Sequence, residues 1–413
     1  MSNLADHRRR VMVVYGTRPE AVKMAPVVQA LHASADLRPV VAVTAQHREM
    51  LDQVNAVFGI VPDHDLDLCS PGQSLTDITM GALAGIGRLL AEERPDMVVV
   101  QGDTTTTYAA ALAAFYLKIP VAHLEAGLRT GERYDPFPEE VNRRLTTQLA
   151  TLHLAPTATA RANLLADGVD RSDVVVTGNT VIDALRWTIG HATGYGDPAL
   201  AGLDSTDAPV VVVTAHRRES WGAPMEGIGR AVARIAREHP EVVVVFPVHR
   251  NPVVRAAVLP VLEGLPNVVL TEPLPYGGFC RLMARASLVL TDSGGVQEEG
   301  PSLGVPVLVM RETTERPEAV EAGTVELVGT AEPAIVAAAH RLLTDPAARA
   351  QMARAVNPYG DGRAAERTVA ALAHHFGLGA RPADFVPGVP VVVPAPAAPA
   401  AVESRLGQLA VAR

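Results

Sequence analysis

The sequence predicts an α/β protein made of two doubly wound domains, each with a parallel sheet covered by helices on both faces. Three observations lead to this prediction. Short, β-branched apolar runs recur along the chain, Ala- and Leu-rich stretches with helical spacing separate them, and the alternation is interrupted once. Continuously apolar strands that alternate with helices are typical of parallel sheets buried on both faces. With 413 residues, the chain is long enough for two to three domains of roughly 150 residues each.

The apolar runs fall into two series. The first comprises "VMVVYGT" (11–17), "PVVAVTA" (39–45), "MVVVQGD" (97–103), "PVAHLEAG" (120–127), "LHLAPT" (152–157) and "VVVTGN" (174–179). The second comprises "PVVVVTAH" (209–216), "VVVVFPVH" (242–249), "NVVLTEP" (267–273), "LVLTDSGG" (288–295), "PVLVM" (306–310) and "TVELVG" (324–329). Between them, residues 190–209 are dominated by Gly, Pro and Asp, which indicates an interdomain linker.

These patterns divide the chain into successive segments. They are an N-terminal extension (1–10), a first doubly wound domain (11–190), a linker (191–208), a second doubly wound domain (209–360), a helical segment (361–380) and a Pro/Ala-rich tail (381–413). The composition of the tail predicts disorder over most of its length. For the segment "FVPGVPVVVP" (385–394) within the tail, the alternatives to disorder are an added edge strand or packing on a surface.

Bulk composition excludes several classes of protein. The net charge of −9 argues against general binding to nucleic acid or to anionic membrane surfaces. Cys69 and Cys280 lie far apart, so neither a disulfide framework nor a zinc site is indicated. The start "MSNLADHRRR" lacks the apolar stretch of a signal peptide, and no apolar run approaches the ~18 residues of a transmembrane helix. We therefore expect a soluble, cytoplasmic protein.

Carboxylates lie at the ends of two strands in the first series. In open α/β sheets, ligands bind at the carboxyl ends of the strands. Glu125 ends the run that enters "HLEAGLRTGERYDPFPEE", and Glu139 follows Pro138, where a helix is predicted to begin. Asp103 ends another strand, immediately before a helix start at Thr104. Helix capping is an alternative role for Asp103 and Thr104, because both residue types are favoured at N-caps.

The second series ends in residues suited to anions. "TDSGGVQEE" places Ser293, Gly294 and Gly295 between a strand and a helix. N–H groups at a helix start bind phosphate oxygens, and glycine lets the anion approach closely; an ordinary tight turn is the alternative. Arg316, before Pro317, begins another predicted helix. It is a candidate bidentate phosphate clamp or, alternatively, a surface ion-pair partner of the neighbouring glutamates.

Two familiar nucleotide motifs are missing from the sequence. No GxGxxG opens a helix after a strand, and GxxxxGK[ST] does not occur, so a tightly bound NAD and a P-loop ATPase are both unsupported. Instead, "YGTRPEAVKMAP" adds Arg18 and Lys23 to a glycine-containing first turn. His216, in "TAHRRES", is a structural or a catalytic histidine among charged neighbours.

Seven motifs together carry a family resemblance. "GTRPE", "GDTTT", "HLEAGLRTG", "FPEEVNRR", "TAHRRES", "TDSGGVQEE" and "TTERPEAV" occur in this order. The chain therefore resembles the non-hydrolysing UDP-N-acetylglucosamine 2-epimerase family from about Val11 to Arg367. The resemblance implies two Rossmann-like domains in a GT-B-like arrangement, with the site in the interdomain cleft. It also implies that the second domain binds UDP and that the helix in 361–380 crosses back to the first domain.

The activity implied by the resemblance is reversible C2 epimerisation of UDP-N-acetylglucosamine to UDP-N-acetylmannosamine. UDP is eliminated in the anti sense to give 2-acetamidoglucal and is then added back, without a metal or a nicotinamide cofactor. The C2 hydrogen becomes acidic only as the C1–O bond breaks, so the reaction needs acid/base groups around the sugar and phosphate binders at the leaving oxygen. A homodimer is also implied.

The resemblance assigns roles to particular residues of this sequence. The catalytic residues it implies are Asp103, Glu125, Glu139 and His216, the last near the diphosphate. The substrate and UDP ligands it implies are Arg18, Lys23, His249, Phe279 (near uracil), Ser293, Gly294, Gly295, Glu299 (on the ribose) and Arg316. No residue is assigned to a metal.

One part of the family pattern is incomplete. Many bacterial relatives have a second, activating UDP-N-acetylglucosamine site built on a "QHR" segment and a later Arg. Gln46, His47 and Arg48 are present here, but Glu49 replaces the usual Gln and Gly72 stands where the Arg is aligned. We therefore expect reduced or absent activation by the substrate.

Three other functions remain open alternatives. A GT-B glycosyltransferase shares the fold and the donor but needs an acceptor. A hydrolysing 2-epimerase releases N-acetylmannosamine and UDP irreversibly. A catalytically silent UDP-sugar sensor has no need of the full set of acids.

Overall fold

The computed structural model describes residues 7–45, 48–68 and 72–388. Its first half forms a parallel sheet of seven strands in the order β3-β2-β1-β4-β5-β6-β7. The strands are β1 (Arg9–Tyr15), β2 (Leu37–Val43), β3 (His64–Asp65), β4 (Met97–Gln101), β5 (Val121–Leu124), β6 (Leu152–Ala155) and β7 (Val174–Val176).

The second half forms a parallel sheet of six strands in the order β10-β9-β8-β11-β12-β13. The strands are β8 (Val210–Thr214), β9 (Val243–Pro247), β10 (Val268–Thr271), β11 (Leu288–Thr291), β12 (Val307–Val309) and β13 (Val325–Leu327). The predicted class, two doubly wound parallel α/β units, is therefore confirmed.

Helices connect the strands. They are α1 (Arg18–Ala33), α2 (Arg48–Phe58), α3 (Leu75–Glu93), α4 (Thr105–Tyr116), α5 (Glu139–Leu149), α6 (Ala158–Ala166), α7 (Thr180–His191), α8 (Ala223–Glu238), α9 (Pro252–Leu262), α10 (Tyr276–Arg285), α11 (Val296–Ser302), α12 (Pro317–Glu321), α13 (Glu332–Thr344), α14 (Pro346–Ala353) and α15 (Ala364–His375). Among these described residues, no helix is long and apolar enough to cross a membrane.

The strands are buried on both faces, which explains their unbroken apolar runs. Along β1, Val11, Val13 and Tyr15 pack into one hydrophobic cluster, while Met12 and Val14 pack into another. A strand with helices above and below has no polar face to leave in water. The core of each sheet therefore lies in two layers.

Strand order reverses at one point in each sheet, and these points locate a binding crevice. In the first sheet the chain leaves β1 towards β2 on one side and reaches β4 on the other; in the second sheet β8 lies between β9 and β11 in the same way. Loops diverge at such a switch point and leave a crevice at the carboxyl ends of the strands.

The strands end before the apolar runs that predicted them. β4 ends at Gln101 and β5 at Leu124, so Asp103 and Glu125 lie just beyond the sheet. The sequence did not predict β3, because His64–Asp65 is a two-residue, charged segment that pairs only with β2. Its pairing with an already formed edge, rather than its own apolarity, makes it a strand.

The segment after the second sheet returns to the first. α15 packs against α1 and α7. The carboxylate of Asp183, in α7, accepts hydrogen bonds from the N–H groups of Ala364 (3.2 Å) and Ala365 (2.8 Å). These are orphan donors of the first turn of α15, so Asp183 anchors the start of that helix.

The predicted tail begins with an ordered segment. The Phe385 N–H donates to the Val176 carbonyl (2.6 Å), and the Phe385 side chain is buried in a small apolar cluster with residues of β6, β7 and α6. Asp384 accepts from the Val176 N–H (3.0 Å). Residues 381–388 therefore do not fit the expected disorder, because the edge of β7 offers both backbone partners and an apolar site; residues 389–413 lie outside the described residues.

Candidate active site

Glu125 is held in an uncommon backbone conformation directly after β5. Its φ is 64°, in the left-handed region, which costs a residue with a side chain about 1–2 kcal/mol. The carboxylate is 6% exposed and accepts hydrogen bonds from Lys23 Nζ at 2.5 and 2.6 Å, and from Gln101 and Asn179. The surrounding contacts thus fix this acid in one position.

These donors also fix the charge of Glu125. Burial by itself raises the pKa of a carboxyl group, but the Lys23 ammonium and its hydrogen bond outweigh burial, and the pKa of Glu125 is lowered. Burial lowers the pKa of Lys23, but the charges of Glu125 and Glu298 raise it by more. The net pKa of Lys23 is therefore raised, and its ammonium group stays charged. The pair is therefore ionic.

Asp103 lies beside Glu125, and its pKa is raised whereas that of Glu125 is lowered. Burial raises the pKa of Asp103 to about 6, against the opposing charge of Arg143, and the charges of Glu125 and Glu139 add to the increase. Arg143 donates to Asp103 Oδ2 at 2.6 Å, and the Asp103 side chain keeps 27% exposure. Asp103 is therefore a carboxyl group able to change protonation near neutral pH.

Helix α5 brings the third predicted carboxylate to the same place. Glu139 is its first residue, as the sequence predicted from Pro138. From the same helix, Asn142 donates to the Asp103 carbonyl at 3.0 Å, and Arg143 holds the Asp103 side chain. Helix α5 thus places Glu139 and orients Asp103 at the same time.

Buried contacts connect this cluster to the second sheet. The side-chain amide of Asn179, after β7, donates to both Glu125 (3.0 Å) and Glu298 (2.6 Å). Glu298 lies in α11 and pairs with Arg316 Nε at 2.6 Å. The predicted Arg316 is therefore in a buried ion pair, 13% exposed, and not in a surface one.

The glycine turn between β11 and α11 lies against that arginine. A Cβ at Gly294 would come within 2.5 Å of a guanidinium nitrogen of Arg316, so only glycine lets the two approach so closely. Gly295 is the N-cap of α11, and the first N–H groups of a helix have no acceptor within it. The Ser293 N–H already donates to Thr291 Oγ1 (2.9 Å), and the Gln297 N–H donates to the Gly294 carbonyl (3.2 Å). Ser293, Gly294 and Gly295 therefore form a tight turn next to Arg316.

His216 lies on the neighbouring strand end, after β8. Its ring stacks with that of His249, with centroids 5.8 Å apart, and its Nδ1 is 3.3 Å from Asp292 Oδ1. Burial, followed by the charge of His216, lowers the pKa of His249. Two of the predicted site histidines are thus brought together although 33 positions separate them in the sequence.

Glu299 and Arg18 meet on the side of the cleft near α10. Burial, followed by the charge of Glu298, raises the pKa of Glu299 to about 7, while the charges of Lys23 and Arg18 oppose this increase. The Tyr276 hydroxyl is 3.4 Å from Glu299 Oε1. Phe279, in α10, is partly buried against the main core.

The segment expected to carry a remnant of the second site is only partly described. Gln46 and His47 lie outside the described residues. Arg48 begins α2 and pairs with Asp65 (2.6 Å) and Asp67 (3.0 Å), and Gly72 is exposed with φ 77°. Arg48 is therefore engaged by carboxylates of its own neighbourhood.

Several residues of the site escaped the sequence interpretation. Gln101, Asn179 and Glu298 contact the predicted residues directly. Glu298 lies within the motif "TDSGGVQEE", and Gln101 and Asn179 lie in the quoted runs 97–103 and 174–179, but no role in the site was assigned to them. Arg143, in "FPEEVNRR", had a signal, because an Arg four positions after Glu139 shares its helix face. Within the described ranges, 7–45, 48–68 and 72–388, no group of three His, Cys, Asp or Glu side chains has the arrangement to hold a metal ion.

Comparisons with known proteins give one consistent result. A family model described as UDP-N-acetylglucosamine 2-epimerase matches residues 29–373. The Yersinia pestis protein called UDP-N-acetylglucosamine 2-epimerase is 55% identical over 372 residues, which cover 89% of this chain and 99% of the relative. The protein of the same name from Escherichia coli K12 is 53% identical over 369 residues, covering 88% and 98%.

Solved structures agree with the sequence relatives. The crystal structure of the Neisseria meningitidis UDP-GlcNAc 2-epimerase bound to UDP-GlcNAc matches with a TM-score of 0.82 at 46% identity, over 88% of this chain and 100% of that one. A Listeria monocytogenes structure, described as a putative UDP-N-acetylglucosamine 2-epimerase, matches with a TM-score of 0.86 at 46% identity, over 92% and 100%.

The fold and the site define a two-domain α/β enzyme with a cluster of buried carboxylates on one sheet and a glycine turn beside Arg316 on the other. The chain belongs to the UDP-N-acetylglucosamine 2-epimerase family, whose members are isomerases. The family resemblance found in the sequence motifs is thereby confirmed.

Proposed function

We propose that this protein interconverts UDP-N-acetylglucosamine and UDP-N-acetylmannosamine by elimination and re-addition of UDP. The observation that supports this most directly is the contact between the carboxyl-end edges of the two sheets. These edges, the first rim and the second rim, carry different kinds of side chain. Asp103, Glu125 and Glu139 cluster on the first sheet, and buried hydrogen bonds through Asn179 join them to the Arg316 region of the second sheet.

The reaction assigns a task to each rim. When the C1–O bond breaks, its electron pair leaves with the diphosphate and positive charge develops at C1. The C2–H bond then breaks, its proton passes to a carboxylate, and its electron pair forms the C1–C2 double bond. Protonation of C2 from the other face and attack of the diphosphate on C1 complete the epimerisation.

The acids of the first rim have the protonation states that this sequence of steps needs. Glu125 is kept ionised by Lys23 and the amide donors, and an ionised carboxylate stabilises a cationic sugar ring, as in glycosidases. Asp103, with a pKa of about 6, can accept a proton and return it near neutral pH. Pairs of carboxyl groups with pKa values pushed apart commonly divide such roles.

The second rim is suited to the departing UDP. The turn Ser293–Gly295, Arg316 and His216 offer hydrogen-bond donors and positive charge at one place. Donors aimed at a developing anion are commonly the largest contribution to such a step. Arg18 and Lys23 from the first rim, together with His249, Phe279 and Glu299, complete the proposed substrate contacts.

The proposal has further parts that rest on the family resemblance. They are assembly as a homodimer and independence from metal and nicotinamide. The proposed cytoplasmic location and the domain boundaries at 190, 208, 360 and 380 rest on the sequence patterns instead. Closure of the cleft over the substrate is expected of a two-domain site.

Proton NMR in heavy water tests the proposal. UDP-N-acetylglucosamine is incubated with the pure protein, without metal, nicotinamide or glycosyl acceptor. We expect UDP-N-acetylmannosamine to appear, with deuterium replacing hydrogen at C2 of both epimers. Free N-acetylmannosamine with UDP would indicate the hydrolysing reaction instead. A spectrum with C2–H fully retained would exclude epimerisation of this substrate.

A further inference from the structure

A fully buried carboxylate, Asp292, lies directly beneath His216. It follows β11 and is 0% exposed, an uncommon state for an aspartate without partners. Its Oδ2 atom accepts two backbone hydrogen bonds, from the N–H groups of His216 (2.7 Å) and Arg217 (2.8 Å). Through this oxygen, Asp292 fixes the backbone that carries the histidine.

The other oxygen of Asp292 faces the histidine ring. Oδ1 lies 3.3 Å from His216 Nδ1 and has no hydrogen bond within the described structure. A buried carboxylate oxygen without a donor is costly, and His216 Nδ1 is the group within reach that can supply a proton. With Nδ1 turned towards Asp292, Nε2 lies on the opposite side of the ring.

This inference rests on the proposed function and deepens it. We infer that Asp292 is a positioning residue that keeps the His216 ring protonated at Nδ1 and leaves Nε2 directed to the leaving diphosphate oxygen. As the C1–O bond breaks, that oxygen takes the electron pair, and the Nε2–H of the imidazolium donates a hydrogen bond to it. The negative charge of Asp292, on the Nδ1 side of the ring, stabilises the imidazolium as the buried aspartate does in a Ser-His-Asp triad.

The surroundings of His216 make this stabilisation necessary. His249 stacks on the ring from the loop after β9, and Arg217 follows it in the chain. Arg217 is itself paired with Glu315 at 3.1 Å and with Glu219 at 3.5 Å. Among the charged groups that face the ring, Asp292 is the buried anion in direct reach, and it offsets the repulsion that these neighbours impose on a second positive charge.

A purely structural role for Asp292 is the competing explanation. Its two backbone hydrogen bonds tie the loop after β8 to the end of β11, and this tie alone would account for its burial. The substitution Asp292→Asn separates the two explanations, because the amide oxygen can still accept both backbone hydrogen bonds. The amide nitrogen would then face His216 Nδ1 and donate to it.

The first measurement is the tautomer of His216. Long-range proton–nitrogen NMR is recorded at alkaline pH on the full-length protein with labelled histidine, and the signals are assigned by their loss in His216→Gln. We expect a proton on Nδ1 in the wild type and on Nε2 in Asp292→Asn. This readout needs no turnover, so it distinguishes failure of the inference from failure of the proposed function. An unchanged tautomer in Asp292→Asn would overturn the inference.

The second measurement is kinetic. We expect Asp292→Asn to lower kcat by roughly 10²- to 10⁴-fold with little change in KM. The double variant with His216→Gln should be no slower than His216→Gln alone, because Asp292 acts through the histidine. Independent, multiplying losses would mean a structural role.

A matched control is available at Asp183. Its carboxylate also accepts two backbone N–H groups, those of Ala364 and Ala365, and it anchors the start of α15 rather than the loop that carries His216. Asp183→Asn should leave the His216 tautomer unchanged and kcat close to that of the wild type. A loss of kcat as large as that of Asp292→Asn would indicate that losing a backbone-bound carboxylate suffices, and would overturn the inference.

Discussion

The two sheet rims that meet in the cleft have the same architecture and opposite chemistry. At the first rim a residue with a side chain, Glu125, takes a positive φ of 64°, and carboxylates dominate. At the second rim Gly294 and Gly295 form the turn, Arg316 supplies positive charge and His216 supplies an imidazole ring. A parallel sheet thus provides strand ends at a common edge, and the residues placed there decide which half of a reaction each domain serves.

The two rims also differ in backbone strain. The left-handed conformation of Glu125 costs about 1–2 kcal/mol, and it persists because Lys23, Gln101 and Asn179 hold the carboxylate. Strained backbone and perturbed pKa values cluster at functional sites. On the second rim neither Gly294 nor Gly295 has a positive φ, so that turn carries no such cost. The rim proposed to move protons is therefore the strained one.

Removing the charge of Glu125 on the first rim should have the largest effect of the changes considered, a loss of kcat. We expect Glu125→Gln to lower kcat by roughly 10²- to 10⁴-fold, because a neutral amide cannot stabilise the cationic ring or transfer a proton. UDP affinity should change little, since most of the proposed UDP contacts lie on the other rim. NMR turnover and isothermal titration calorimetry measure the two quantities, and circular dichroism checks folding. Glu132→Gln, in the exposed loop, is the control; equal losses in both variants would contradict the role of Glu125.

Adding a methyl group to the turn of the second rim should have a smaller effect, and it should change UDP affinity. In Gly294→Ala the new methyl group would lie 2.5 Å from an Arg316 nitrogen. Such overpacking costs about 1–3 kcal/mol, so UDP affinity should fall roughly 10- to 100-fold. Calorimetric titration with UDP measures it. Gly190→Ala, in α7, is the control, because no heavy atom lies within 4 Å of its new Cβ. Unchanged UDP binding in Gly294→Ala would remove the turn from the phosphate site.

The raised pKa of Asp103 predicts a modest pH effect on stability. Its folded pKa of about 6 exceeds the ordinary value of 3.8, so between these values the folded state binds more protons than the unfolded state. Raising the pH from about 4 to 7 should therefore destabilise the wild type relative to Asp103→Asn, by about 2 kcal/mol. Urea unfolding across that range measures the change in the difference.

An exposed carboxylate with the opposite shift provides the control. Hydrogen bonds from Ser74 lower the pKa of Asp77, so its contribution to stability is lost as the pH falls. Asp77→Asn should therefore show the opposite sign. If both variants followed the same pH trend relative to the wild type, the assignment of Asp103 as the raised acid would be wrong.

The smallest expected effect is the absence of substrate activation. Arg48 is already paired with Asp65 and Asp67, and Gly72 replaces an arginine of the family pattern. We expect hyperbolic kinetics with UDP-N-acetylglucosamine. UDP-N-acetylmannosamine alone should also be turned over without a lag. Strongly sigmoidal curves, or an absolute need for the other epimer, would contradict this prediction.

Much of the fold and the candidate site could be predicted because the signals are local. Apolar runs predict buried parallel strands, and Asp103, Glu125 and Glu139 could be located because a strand or helix boundary lies next to each. What could not be predicted depends on distant partners. Glu298 and Glu299 are adjacent and chemically identical, yet the fold gives Glu298 to Arg316 and Asn179, and Glu299 to Tyr276.

The sequence by itself determined the positions of all strands but β3, the two-domain plan and the family, because apolar periodicity and motif residues are local features of the chain. The tertiary structure alone decided the protonation states and the orientation of the site. The pKa values of Glu125 and Asp103 depend on burial and on charges such as Lys23 and Arg143, which lie tens of positions away. Asp292 acquires its place beneath His216 only because β8 and β11 are neighbours in the sheet.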